Sequence, residues 1–126
     1  MRRVTGLGGV FFKAADPTGL AAWYERHLGL SGQGGIVNFL WREREGDSAG
    51  TTVWSVFPKD TEYFRPSQAP FMLNYRVADL DALLEALRAE GVEIDPRRED
   101  SEYGRFAWIM DPEGNRVELW EPPKGS

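Results

Sequence analysis

Cysteine is absent from the 126 residues. A disulfide framework, a zinc–thiolate site and a thiol nucleophile are therefore excluded together. Histidine occurs once, at His27, which leaves no two-histidine metal motif and argues against a serine triad. Positive charge is also short: 15 Lys+Arg stand against 20 Asp+Glu, a net charge of −5. A nucleic-acid module needs a clustered basic surface to release counterions, and no such cluster is present. No apolar run reaches the roughly 18 residues that a membrane-spanning helix requires. After Met1-Arg2-Arg3 come Thr5 and three glycines rather than a secretory apolar segment, so a cytoplasmic protein is expected.

Aromatic side chains are abundant instead: seven Phe, five Trp and four Tyr. A core of this size need not use all of that aromatic area, so some of it is expected to form a functional surface.

The chain repeats a plan. Val10 to Asp16 reads as a strand running into a helix cap, with Pro17 suited to the first helical position. Leu20, Trp23, Tyr24 and Leu28 then recur at helical spacing, which predicts that Trp23 and Tyr24 are core, and Gly29 supplies a stop. Phe71 to Asp79 repeats the strand and cap. Leu80, Leu83, Leu84 and Leu87 follow at i, i+3, i+4 and i+7, ending before Gly91. A shift of 63 residues superposes Ala15 on Ala78, Asp16 on Asp79 and Leu20 on Leu83. Further strands are predicted over 36–41 and 51–57 in the first half, and over 105–110 and 116–120 in the second. Each half has room for one more short strand, around 58–66 and 93–99, with 58–70 joining the halves. Asp111-Pro112-Glu113-Gly114-Asn115 carries the preferences of a type I turn. The charged run 42–47 reads as a solvated hairpin loop. His27, in the last helical turn, is expected on the surface. The fold class expected is α+β, one domain over 1–126, with module one about 6–60 and module two about 70–122.

Strand parity divides the sheet residues. Val10, Phe12, Val53, Leu73, Tyr75, Val117 and Leu119 form a set expected to face the helices. The opposite set contains Phe11, Trp54, Met72, Asn74, Arg76, Arg116, Glu118 and Trp120, and Phe106 and Trp108 join it across the hairpin. Large aromatics mixed with mid-strand polar groups suit the wall of a cleft. The candidate ligand-binding residues are Phe11, Trp54, Met72, Asn74, Arg76, Tyr103, Phe106, Trp108, Arg116 and Glu118. Tyr103 is expected on a mobile loop at 97–104 beside the cleft.

Ala22-Trp23-Tyr24-Glu25-Arg26-His27-Leu28-Gly29-Leu30 resembles the helix end of the vicinal oxygen chelate superfamily, which includes glyoxalase I, extradiol dioxygenases and bleomycin-resistance proteins. The stretch from Tyr103 through Asp111-Pro112-Glu113-Gly114-Asn115 to Glu118-Leu119 is similar to that superfamily's signature hairpin. The resemblance covers nearly the whole chain. It implies two βαβββ modules forming a curved mixed sheet around a cavity, and a homodimer. The metal positions that it implies fall near Gly9, Trp54, Met72 and Glu118, of which only Glu118 carries a ligand for a hard cation. No metal site and no cofactor are therefore expected. The function expected is small-molecule binding, with neither nucleic acid nor membrane as partner. The alternative is a glyoxalase-like lyase, isomerase or dioxygenase with an atypical metal site, or a metal-free one in which Glu118 is the only candidate general base.

Overall fold

A computed structural model describes residues 3–42 and 50–124. Nine elements follow one another: β1 (Val4–Ala14), α1 (Pro17–Leu28), β2 (Ile36–Trp41), β3 (Gly50–Pro58), β4 (Phe71–Val77), α2 (Leu80–Ala89), β5 (Ile94–Ser101), β6 (Gly104–Met110) and β7 (Arg116–Glu121). Both helices start as their caps predict. Asp16 Oδ1 accepts from Gly19 N, and Asp79 Oδ1 accepts from Ala82 N, each at 3.1 Å.

The strands form one seven-stranded mixed sheet in the order β2-β3-β1-β4-β7-β6-β5. Within each half the first strand runs parallel to the last, β1 with β3 and β4 with β7. The halves join through antiparallel β1 and β4 at the centre. This is the α+β architecture that the repeat implies. Among the described residues no helix is long and apolar enough to cross a membrane.

The two halves are not equivalent. The 63-residue shift carries β5 onto 31–38, where Gly32, Gly34 and Gly35 are concentrated. Gly34 and Gly35 hold φ at +61° and +77°, outside strand geometry, and before β2 starts at Ile36 there is only an isolated bridge from Gln33 to Ile36. The strand expected near 93–99 is present as β5, whereas 58–66 forms turns after Pro58. The predicted loop at 97–101 is instead part of the β5 edge strand. The predicted hairpin loop at 42–47 lies, beyond Arg42, outside the described residues.

The helices differ as well. Leu80, Leu83 and Leu84 of α2 are buried with Val77, Ala107 and Leu119, and each contributes about 1.5–3 kcal/mol of apolar burial. α1 buries no residue fully. Tyr24 packs edge-on against Phe12 and Trp54, but Trp23 remains 48% exposed over His27, so it is not core. His27 is exposed, as its place at the helix end suggests.

Candidate functional site

On the sheet face away from the helices, glycines in β1 let the side chains of neighbouring strands close in. Gly8 and Gly9 put no side chain at the centre, and a Cβ on Gly8 would lie 2.0 Å from Asn74 Oδ1. Pairing across the strands sets Val53, Gly9, Asn74, Glu118 and Trp108 in one row. Above it lies a cavity of about 720 Å³, walled by Phe11, Phe57, Tyr63, Tyr103, Phe106 and Trp120. Phe106 and Trp120 stack in parallel, 6.0 Å apart. β2 adds Ile36, Asn38 and Leu40, and β3 adds Thr51, Val53 and Ser55.

Glu118 is the chemical centre of this row. It is 2% exposed, yet its oxygens are well served. Asn74 Nδ2 donates to Oε1 at 2.5 Å, Trp108 Nε1 donates to Oε2 at 2.9 Å, and the Tyr63 hydroxyl donates to Oε2 as well. Burial raises the Glu118 pKa, against the three donors and the Arg116 charge, which favour the carboxylate. Burial and the neighbouring Glu118 charge push the Tyr63 hydroxyl up, so Tyr63 stays protonated and acts as a donor. Asn74 is equally buried, and its Oδ1 has no hydrogen-bond partner.

The structure brings five predicted residues to this cavity: Phe11, Asn74, Tyr103, Phe106 and Glu118. Trp108 reaches it only through its bond to Glu118. Met72 is fully buried among Phe11, Phe64 and Trp108, beneath the wall rather than in it. The Arg76 guanidinium lies 5.6 Å from the Trp41 ring and 5.2 Å from the Trp120 ring, and donates to the Thr51 carbonyl at 3.4 Å. Arg116 sits behind Trp108, 5.0 Å from its ring, with Nη1 bonded to Asp95 at 2.7 Å. Trp54 is the correction. It pairs with Val10 on the helix-facing side and packs on Phe12 and Tyr24, while its neighbour Val53 faces the cavity.

Sequence reasoning missed Phe57, Tyr63 and Glu99. Tyr63 stacks on Phe57 at 5.6 Å and an interplanar angle of 11°. The available signal was the pair Tyr63-Phe64 set between charged and turn-forming neighbours in the connector.

Asp95 supports the site from behind. Burial opposes its ionisation, but bonds from Arg116 Nη1 and from Arg97 N, the latter at 2.8 Å, outweigh it and hold its pKa down to about 2. A depressed carboxylate stabilises the fold above its ordinary value of 3.8, and this is lost as pH falls towards about 2. Asp95→Asn should therefore lower stability at neutral pH and flatten the acid limb of a urea-midpoint-against-pH curve. An unchanged acid limb would remove Asp95 from that account.

The glyoxalase-like domain family model matches residues 9–120. The chain belongs to this family. The domain is similar in structure to methylmalonyl-CoA epimerase from Mycobacterium tuberculosis, with 26% identity, a TM-score of 0.61, and 98% of this chain and 91% of that chain covered. A variant of Streptomyces coelicolor methylmalonyl-CoA epimerase in complex with 2-nitronate-propionyl-CoA gives 14% identity, a TM-score of 0.70 and 98% coverage of both chains. A glyoxalase/bleomycin resistance protein/dioxygenase superfamily member from Vibrio splendidus 12B01 gives 12% identity and a TM-score of 0.59, covering 91% of this chain and 98% of that chain. No curated protein matches the chain. Within this glyoxalase-like domain, no three His, Cys, Asp or Glu side chains come together among the described residues.

Proposed function

We propose that this glyoxalase-like domain binds a small, planar, largely apolar molecule in the aromatic-walled cavity, without a divalent metal. The observation that carries the reading is one buried carboxylate, Glu118, on the floor of a cavity whose walls are aromatic. Its volume of about 720 Å³ falls in the range of roughly 300–1,000 Å³ usual for ligand pockets. Offset or edge contacts with aromatic rings add about 0.5–1.5 kcal/mol beyond buried area.

The donor set does not fit a hard cation. Of the positions implied for metal ligands, Gly9 has no side chain, Met72 presents a buried thioether and Trp54 faces the helix. Glu118 is the one oxygen ligand among them, its neighbour Asn74 adds a single amide oxygen, and both Glu118 oxygens already accept from protein donors.

Titration with the neutral fluorophore N-phenyl-1-naphthylamine tests the reading. Saturable one-site binding is expected, weakened about tenfold or more by Phe106→Ala, which removes one wall ring. Absence of saturable binding, or an affinity indifferent to Phe106→Ala, overturns it.

One observation favours a second reading, metal-free proton transfer. Burial raises the Glu118 pKa, and a carboxyl tuned upwards is better matched to acid–base work near neutral pH. Structural neighbours of this chain are epimerases. Deuterium wash-in from D2O at the α-carbon of methylmalonyl-CoA, lost in Glu118→Gln, would select this reading over binding alone.

A further inference from the structure

We propose that the cavity selects planar aromatic cations bearing N–H donors. The inference rests on the binding reading above and names the ligand's charge and its hydrogen-bonding end. Among the described residues lining the cavity, the charged side chains are Glu99, towards the solvent, and Glu118 on the floor; neither Lys nor Arg is among them. Three basic groups packed around the row are committed elsewhere. Arg116 is bonded to Asp95 behind Trp108, Arg76 is held between two indoles, and Lys13 Nζ lies 5.5 Å over the Phe64 ring.

The floor presents acceptors. A carboxylate offers about four acceptor sites, and the protein donors Asn74, Trp108 and Tyr63 fill three of those on Glu118, leaving one on Oε1. Asn74 Oδ1 is buried with no partner, in the lining of the same cavity. A buried acceptor without a donor is a costly exception in a folded protein. A ligand N–H reaching the floor would take the remaining site on Glu118 Oε1, and a positive charge on the same group would meet the carboxylate; Asn74 Oδ1, packed against Gly8, joins it once its side chain turns. The π-faces of Phe106 and Trp120 attract a delocalised cation further. An anionic ligand, such as the 2-nitronate-propionyl-CoA bound by a structural neighbour, would face two carboxylates and, among the described residues, find no lining cation to pair with.

Three acridines of one shape separate charge from stacking: 9-aminoacridine, a cation near neutral pH; acridine, neutral; and acridine-9-carboxylate, an anion. Titration calorimetry should rank the cation about tenfold or more tighter than acridine, with the carboxylate weakest. Glu118→Gln should bring the cation most of the way to the affinity of acridine, and raised salt should narrow the gap. Should Glu118→Gln fail to fold, the ranking on the unmodified protein and its narrowing in Glu99→Gln decide. Equal affinities for all three, or a preference for the anion, overturn the inference. So does failure of 9-aminoacridine to bind while N-phenyl-1-naphthylamine still binds. Failure of every probe overturns the binding reading itself.

Discussion

Phe64→Ala is expected to remove about 3–5 kcal/mol of unfolding free energy, the usual result of emptying a fully buried aromatic site. Phe64 has 0% exposure although it lies in a connector with no regular secondary structure. It inserts among Phe11, Met72 and Trp108, with the Phe57 ring 5.2 Å away. Backbone bonds hold the connector otherwise at few points: Thr61 N to Pro58 O, Arg65 N to Glu62 O and Ser67 N to Phe64 O within it, and Lys13 N to Pro70 O at its end. Packing of this ring, together with the stack of Tyr63 on Phe57, keeps Tyr63 against Glu118. Urea denaturation should show the loss, and ligand affinity should fall with it. A change below about 1 kcal/mol would mean that the neighbouring side chains collapse into the vacated space.

Glu118→Leu should destabilise by about 2–5 kcal/mol, and Glu118→Gln by about 1 kcal/mol or less. The leucine leaves three donors without their acceptor: Asn74 Nδ2, Trp108 Nε1 and the Tyr63 hydroxyl. The Tyr63 hydroxyl can turn towards cavity water, but the Trp108 ring is buried and its N–H cannot follow. Glutamine keeps an acceptor for Trp108 and Tyr63, and the Asn74 amide can turn its oxygen towards the new N–H. The pH dependence runs opposite to that of Asp95. A folded-state pKa raised above the unfolded value contributes stability at low pH, and that contribution is lost as pH rises through the folded value. Glu118→Gln should abolish this decline in a urea-midpoint series. Equal stability of the leucine variant and the parent would show that the carboxylate has no structural share in the row.

The second module was largely legible in the sequence. Leu80, Leu83 and Leu84 fall on one helical face, and Asp79 caps that helix. The turn at 111–115 sets the register that places Trp108 opposite Glu118. Once that hairpin is aligned, alternation alone sends Val117 and Leu119 to the helix and Glu118 to the cavity. The first module was read less well. Val53 and Trp54 are both apolar, so composition cannot say which of them faces the helix. Parallel pairing of Trp54 with Val10, and the ring of Tyr24 waiting on that side, decide it.

By itself, then, the amino-acid order determined the repeat, both capped helices, the signature hairpin and the inward direction of Asn74 and Glu118. These are local periodicities and turn preferences, encoded within a few residues of one another. Tertiary structure alone decided that Tyr63 meets Glu118 across 55 positions. It also decided that Trp54 turns to the helix, and that Arg76 and Arg116 are held away from the cavity. Such pairings depend on which strands lie side by side and on how the connector folds over them, and no local pattern carries that information.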